Sequence, residues 1–261
     1  IKREIFRKLV TFVFKFKTMN KLLNKLNTTL NERKKSFITL AVVIGIVISL
    51  ISFKKLIWED QEKAEILNLI AFTYIENANY QTAIFGDSIK KFHDLPEELT
   101  GDSIEFSGIN GILEDPKLKG TSAAKFSKYL LGISYYNLAL EETEEEAKKE
   151  YLSKALNSLD NCKSKNKAQS SKAKEVIGDI FLELNQPKTA LEYYQKSLKI
   201  INHRSNKNTS AKPYLLKKTA VTAKILGEKK LAKDYYQEIK NNFPKSKYAK
   251  DIDKYINELS N

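Results

Sequence analysis

Residues 173–199 read AKEVIGDIFLELNQPKTALEYYQKSLK, and the spacing of small and large side chains in this stretch decides the fold. Gly178 follows Ile177 and precedes Phe181 by three residues, and Ala190 comes twelve residues after Gly178. A small residue on each of two helices lets the helices approach closely, while the large residues fill the gap between them. The stretch therefore predicts a hairpin of two packed α-helices.

A second stretch repeats this spacing downstream. Ala220 and Ala232 are again twelve residues apart, with Gly227 at the turn between the helices and Pro244 near the end. The segment KYAKDIDKYINEL (247–259) then carries large apolar residues at helical spacing, which is expected of a helix that caps a stack of repeats.

An interrupted unit precedes the two clear ones. Gly132 opens it, and its second helix carries Ala155. The charged run EETEEEAKKE (141–150) supplies the extra residues between them, either as a longer helix pair or as a solvated loop.

The first unit is the weakest. Ala71 and Ala83 fit the spacing, after which Asp87 breaks it. Proline and glycine residues then mark turns around one short apolar helix, predicted over 106–113.

The spacing of these units is typical of tetratricopeptide repeats (TPRs), which have a period of about 34 residues. The composition agrees, because 5 Pro and 9 Gly in 261 residues are few for a turn-rich β fold. We predict an all-α fold, with a TPR-like α-solenoid of helical hairpins over 64–261 preceded by a single N-terminal transmembrane helix.

The transmembrane helix is predicted over residues 36–53, SFITLAVVIGIVISLISF, which carry no charge and are flanked by basic residues. At about 1.5 Å per residue this helix is ~27 Å long, and the flanking lysines can extend its reach across a ~30 Å hydrocarbon core. A buried core helix would show a polar stripe, and a cleaved signal peptide would end in a small-residue site. Neither feature is found, so residues 36–53 are predicted to be an uncleaved anchor, followed by a juxtamembrane linker over 54–63.

Positive charge is concentrated before this span. Residues 1–36 hold eleven Lys and Arg against two Glu, whereas 34 Lys and Arg face 30 Asp and Glu after residue 53. This distribution argues against nucleic-acid binding, and it predicts a cytoplasmic segment 1–35 and a periplasmic repeat domain in a bacterial inner membrane. Residues 1–18 precede the only methionine, Met19, and are either an amphipathic basic helix or an upstream extension from a misassigned start codon.

The anchor is followed by three phrases that carry a family resemblance: GTSAAKFSKYLLGISYYNLA (120–139), the stretch 173–199, and AKILGEKKLAKDYYQEIKNNFPKSKYAKDIDKYI (223–256). In this order they resemble the YfgM-like ancillary subunits of the SecYEG translocon, in the form found in Bacteroidetes-type bacteria. The resemblance covers residues 33–261. It implies a periplasmic repeat domain that lies near the Sec channel and near a membrane-anchored chaperone, where it would assist exported proteins. The long stretch 88–104 and the insertion 141–150 depart from the simplest family pattern.

The sequence shows no pattern typical of catalysis or metal binding. His93 and His203 are the only histidines, and neither has ligand spacing to the other or to Cys162. Cys162 is the only cysteine, so no internal disulfide can form, and it stands where a small buried residue belongs. We therefore predict a protein that is not an enzyme and that has no cofactor or metal.

A binding groove is implied by the resemblance to TPR arrays, in which five positions of each first helix face a ligand. The residues at these positions are Phe126, Tyr129, Ile133, Tyr136, Asn137, Lys172, Glu175, Asp179, Leu182, Glu183, Tyr214, Lys217, Val221, Lys224 and Ile225. An aromatic-apolar end beside mixed charge suits an extended or helical peptide. The alternative is that some of these side chains, Tyr129 and Tyr136 among them, pack on neighbouring helices.

The predicted function is that of a membrane-anchored periplasmic adaptor that binds proteins without covalent chemistry. Its partner would be a Sec translocon component, a membrane-anchored chaperone or an exported client. The alternative is an envelope scaffold for outer-membrane assembly, cell division or secretion machinery. The oligomeric state is left open.

Overall fold

The computed structural model describes residues 34–87, 106–160, 166–202 and 211–259. Within these ranges the chain is helical, apart from one isolated β-bridge between Asp87 and Phe106. The prediction of an all-α fold is confirmed. The chain divides into two compact units, residues 1–58 and residues 59–261.

The first described helix, α1, extends over Lys34–Glu76. It includes residues 54–63, which were predicted as a linker and are helical in the structure. Most side chains of the predicted span 36–53, and all but two residues of the predicted segment 1–35, lie outside the described part of the chain. Over the residues that the structure does describe, no helix is both long enough and apolar enough to cross a membrane.

The second unit contains the end of α1 and the remaining helices, which pack mainly against their neighbours in chain order. These are α2 (Tyr80–Phe85), α3 (Gly108–Glu114), α4 (Ser122–Glu141), α5 (Glu145–Asp160), α6 (Lys167–Glu183), α7 (Pro187–Asn202), α8 (Lys212–Ile225), α9 (Lys229–Asn242), a 3-10 turn (Lys247–Ala249) and α10 (Ile252–Glu258). The strongest pairings are α4 with α5, α6 with α7, and α8 with α9. These pairs are the helical hairpins that the residue spacing predicts.

Three hairpin turns share one backbone conformation. Helices α1 and α2, α6 and α7, and α8 and α9 are each joined by a three-residue turn. The middle residue of each turn has a positive φ, which is 55° at Ala78, 55° at Asn185 and 75° at Gly227. The residue after it donates its N–H to the carbonyl oxygen five residues earlier. The N···O distance of this hydrogen bond is 2.8 Å for the donor Asn79, 2.8 Å for Gln186 and 2.9 Å for Glu228. This arrangement is the Schellman motif that ends many helices.

The shared turn shows that the first hairpin, formed by the end of α1 and by α2, is built like the later repeats. The first hairpin matches the repeat pattern only weakly, because α2 is only six residues long and is followed directly by its C-cap, Gly86. Its first helix nevertheless buries Leu67, Ile70 and Ala71, as a repeat helix should. The first hairpin is therefore a shortened repeat, and its second helix is supplemented by the short helix α3.

The left-handed turn residues lead to a prediction about stability. Replacing Ala78 with glycine is expected to raise the free energy of unfolding by about 0.5–1 kcal/mol, because glycine adopts a positive φ without steric cost. Replacing Gly227 with alanine should lower it by about 1 kcal/mol. No atom lies within 4 Å of a Cβ added at Gly227, so this loss would be conformational. Urea denaturation measures both changes.

The control for this prediction is Gly120, which also has open space around an added Cβ but no positive φ. Replacing Gly120 with alanine should not destabilise the protein. A loss equal to that of the Gly227 variant would show that the turn conformation is not the cause.

Two glycines allow close approach of the helices within a hairpin. A Cβ added to Gly178 on α6 would lie 2.5 Å from Cε1 of Tyr194 on α7. A Cβ added to Gly132 on α4 would lie 2.5 Å from Cγ of Leu159 on α5. These separations are far below van der Waals contact, so both positions require glycine unless the facing side chain moves.

The charged insertion lengthens the helices of its hairpin. Helix α4 continues to Glu141 and α5 begins at Glu145, so only three residues lie between them. The first of the two predicted alternatives, a longer helix pair, is therefore the one observed. Its turn differs from the other three, since Glu142 has a φ of −78° and an extended ψ of 134°.

The C-terminal helix α10 closes the hydrophobic core of the last repeat. Ile252 and Leu259 are buried in the same cluster as Tyr236 of α9, and the rings of Tyr236 and Tyr255 stack at 5.4 Å. Lys240 on α9 also contacts Asp253 at 2.6 Å. The predicted cap is thus present as a short helix.

Candidate protein-binding face

The first helices of the repeats meet at a cluster of charged and phenolic side chains. We call it the Lys218 cluster, and it consists of Lys172, Glu175, Asp179, Tyr194 and Lys218. Nζ of Lys218 lies 3.0 Å from Oε1 of Glu175 and 2.7 Å from Oδ2 of Asp179. The Tyr194 hydroxyl donates to Oδ1 of Asp179 at 2.6 Å, and Lys172 contacts Oε1 of Glu175 at 2.7 Å. Two cations therefore balance two carboxylates.

The cluster joins three helices and is largely shielded from solvent. Glu175 and Asp179 lie on α6, Tyr194 on α7 and Lys218 on α8. Only 5% of the Glu175 side chain is exposed, compared with 15% for Asp179 and 18% for Lys218. Because these charges pair with one another, they stabilise the contact between adjacent repeats and hold the face in one arrangement.

The cluster changes the proton affinity of three of the groups in and around it. Burial alone would lower the pKa of Lys218, but Asp179 and Glu175 outweigh that effect and raise the pKa above its ordinary value of 10.5. Burial raises the pKa of the Tyr194 hydroxyl above 10.0, and the charge of Asp179 raises it further. The pKa of Tyr136 on α4 is raised for the same two reasons.

These shifts predict a loss of stability at alkaline pH. Three side chains release their protons at a higher pH in the folded state than in the unfolded state, namely Tyr136, Tyr194 and Lys218. Their contribution is fully present below the unfolded pKa values of about 10 and is lost as the pH rises toward the folded ones. We expect the free energy of unfolding to fall as the pH rises above ~10, and less steeply in a Tyr194→Phe variant. Equal slopes in both proteins, measured by urea denaturation, would contradict this origin.

Helix α4 supplies the aromatic part of the face. The rings of Phe126 and Tyr129 stack at a centroid distance of 5.8 Å, and 36% of Phe126 is exposed. Ile133, Tyr136 and Asn137 are half-buried, and the Asn137 amide donates to the carbonyl of Ile133 at 2.8 Å. These five predicted residues are thus partly available to a ligand.

Helix α8 supplies a second apolar part. Tyr214, Val221 and Ile225 are 37%, 39% and 61% exposed. The Lys218 ammonium lies 4.5 Å from the centre of the Tyr214 ring, which places Tyr214 beside the Lys218 cluster. Two apolar parts therefore flank a paired polar centre.

The other predicted residues are engaged within the chain. Lys217 lies 5.4 Å from the Tyr255 ring, and Lys224 contacts Glu258 at 2.8 Å, so both help to hold α10. Leu182 packs against the core of the last repeats. Glu183 contacts Lys148 of α5 at 2.7 Å.

Two central residues, Lys218 and Tyr194, were not among the side chains predicted to form the site. Lys218 was detectable in principle, because it lies four residues after Tyr214 and three before Val221 and so shares their helix face. The repeat pattern indicates Tyr194 only as a large residue four positions after Ala190. Its hydrogen bond to Asp179 joins residues fifteen positions apart, which no single-helix pattern reveals.

A comparison with known families agrees with this geometry. The tetratricopeptide repeat family matches residues 218–246, which comprise most of α8, all of α9 and the turn that follows. The chain is a TPR-containing protein. TPR domains are protein-interaction modules, so the face described above belongs to a fold suited to binding proteins. No curated protein matches the chain.

The TPR domain offers no metal site within the described ranges, where no three His, Cys, Asp or Glu side chains converge. Cys162, His93 and His203 lie outside those ranges.

Proposed function

We propose that this protein is an adaptor that binds segments of other proteins on the face formed by α4, α6 and α8. The observation that carries the proposal is that Tyr214 and Val221 stand exposed on the α8 face that carries Lys218. Tyr136 of α4 lies close enough to the Lys218 cluster for the charge of Asp179 to raise its pKa. Aromatic and aliphatic residues around a rigid centre can bind a peptide by burial of apolar surface. The cluster itself is already neutralised, so a ligand would gain most of its affinity from the flanking apolar side chains.

The proposal extends to the place where the adaptor works. The run 36–53 has no charged residue and is flanked by basic residues, which supports a single membrane anchor with the repeat domain on the periplasmic side. The resemblance to translocon-associated subunits supports a partner near the Sec channel, which could be a translocon component, a membrane-anchored chaperone or an exported client.

Site-specific crosslinking tests both parts of the proposal. A photoreactive amino acid would replace Tyr129, Tyr136 or Tyr214 in the full-length protein in cells, and mass spectrometry would identify what is crosslinked. A position on the exposed side of α7, Glu192, is the matched control. Crosslinks from the face that include no Sec component would eliminate the translocon part. Equal crosslinking from Glu192 would eliminate the binding face.

Substitution of two exposed residues gives a quantitative prediction. Tyr214→Ala combined with Val221→Ser should reduce partner recovery about tenfold or more, because the removal of central apolar contacts typically costs 2 kcal/mol or more. Both side chains are over a third exposed, so thermal stability should change little. Unchanged recovery would contradict the assignment of this face.

A further inference from the structure

A groove lies between α1 and the start of α4, entirely within the second unit. Its volume is about 500 Å³. Three large apolar side chains line it, and they remain exposed by 44% at Leu69, 40% at Phe72 and 36% at Phe126. Leu69 and Phe72 were not among the residues predicted for the binding groove.

The floor of the groove is built from satisfied polar groups. Oε1 of Gln61 accepts hydrogen bonds from the Ser122 backbone at 2.9 Å and from its hydroxyl at 3.0 Å. The buried Asn68 amide donates to the carbonyl of Ala123 at 2.9 Å and accepts from the Ser127 hydroxyl at 2.7 Å. These bonds fix α1 against α4, so the groove is preformed and would cost a ligand little ordering of the protein.

The α1 side of the groove is acidic. Glu62, Glu65, Leu69, Phe72 and Glu76 follow one another at intervals of three or four residues, which places them on one side of the helix. We call this set the α1 stripe, and all five side chains are exposed. Among the described residues, its three glutamates make no ion pair. In this respect the α1 stripe differs from the Lys218 cluster, whose carboxylates are paired within the chain.

We infer that the groove binds an amphipathic basic helix of a partner protein. Aliphatic side chains of that helix would cover Leu69, Phe72 and Phe126, and its lysines or arginines would pair with the glutamates of the α1 stripe. The stripe extends over fifteen residues, from Glu62 to Glu76, with a rise of about 21 Å, which matches a partner helix of about four turns. The Glu65 carboxylate accepts a hydrogen bond from the neutral Gln61 amide at 2.5 Å, which leaves its charge uncompensated. Carboxylates without an ion pair beside an apolar groove favour cationic partners over neutral ones.

A second copy of the chain fits the groove poorly. If two α1 helices packed antiparallel about a two-fold axis at Leu69, Glu62 of one copy would lie opposite Glu76 of the other. Like charges placed opposite each other disfavour such a dimer.

The inference rests on the proposed adaptor function and adds the class of partner. The groove continues the binding face toward the N-terminus, because Phe126 stacks on Tyr129. The two assignments share Phe126 but differ in their other residues, so variants of Phe72 and Glu65 test the groove and variants of Tyr214 and Val221 test the face.

Fluorescence anisotropy with the full-length protein tests the inference. The probe is a labelled helical peptide of about fourteen residues with leucines on one face and lysines beside them. Phe72→Ser and Glu65→Lys should each weaken its binding about tenfold, and raising the salt should weaken it further. Two variants outside the groove are the matched controls. They are Phe85→Ser, at a phenylalanine that is 57% exposed, and Glu228→Lys, at an exposed glutamate. Both should bind the peptide as tightly as the unaltered protein does.

Three results would overturn the inference. The first is equal weakening by the control variants. The second is equally tight binding of a peptide with glutamates in place of its lysines. The third is self-association of the unaltered protein, measured by sedimentation, that Phe72→Ser abolishes. If groove variants bind the peptide normally while Tyr214→Ala with Val221→Ser still loses its partner, the inference fails and the proposed function stands.

Discussion

Replacing Lys218 with methionine is expected to lower the free energy of unfolding by about 3–5 kcal/mol. The ammonium lies 2.7 Å from Asp179 and 3.0 Å from Glu175. Methionine would leave Asp179 without a cation and Glu175 with only the partly exposed Lys172. Removal of one partner from a buried ion pair costs more than the pair contributes, because the remaining charge is uncompensated. Urea denaturation at neutral pH measures the loss.

Two further variants separate this explanation from a simple loss of packing. Adding Glu175→Gln and Asp179→Asn to Lys218→Met removes the uncompensated charges and should restore part of the stability. Lys217→Met is the neighbouring control. Lys217 contacts aromatic rings at 5.4 Å or more, so its loss should cost less than about 1 kcal/mol. If the two single variants were equally destabilised, the Lys218 cluster would not hold the repeats together.

Tyr194→Ala should lower the free energy of unfolding by a similar amount, about 3–5 kcal/mol. Tyr194 is fully buried, and its ring fills the space against Gly178 that no other side chain occupies. Alanine would leave a cavity between α6 and α7 and would also remove the hydrogen bond to Asp179. Thermal or urea denaturation of the full-length protein checks the magnitude.

The two contributions of Tyr194 can be measured separately. Tyr194→Phe keeps the ring and removes only the donor to a carboxylate, so it should cost about 1.5–3 kcal/mol. The adjacent Tyr193 is half-buried, so Tyr193→Ala should cost clearly less than Tyr194→Ala. Because Tyr194 and Lys218 share Asp179, the double variant Tyr194→Phe with Lys218→Met should not show additive losses. Additive losses would mean that the two side chains act independently.

These predictions assign different roles to neighbouring parts of one face. Stability depends on the paired centre, whereas ligand affinity depends on exposed side chains such as Tyr214 and Val221 beside it. Variants of the centre are therefore expected to unfold the repeats, and variants of the flanks are expected to weaken binding with the fold intact.

The hairpins could be predicted from sequence because helix packing depends on local spacing. The twelve-residue interval from Gly178 to Ala190 places small residues where α6 and α7 touch, and the structure has this hairpin and the one after it. The shortened first hairpin was harder to detect. Its Schellman turn uses Ala78, whereas glycine is the usual residue at this position, so the sequence signal is weak although the backbone conformation is the same.

The binding face could be predicted only in part. Helix periodicity correctly indicates that Glu175 and Asp179 share one side of α6. Periodicity does not show what lies opposite that side. In the structure Lys218 lies on the first helix of the next repeat and pairs with both carboxylates. Glu175 and Asp179, which were predicted to face a ligand, therefore make contacts within the fold instead.

The sequence alone determined the helical class, the repeat hairpins and their capping helix, because these follow from spacing along single helices and across short turns. The periplasmic, translocon-associated role also comes from the sequence and remains a prediction. Only the tertiary structure decided which charges are paired and which stay open to a partner. Glu175 and Glu65 both lie on the first helix of a repeat, yet Glu175 is buried against Lys218 and Glu65 is exposed near Leu69. The difference arises because pairing depends on side chains that lie far apart in the chain and meet only when the repeats stack.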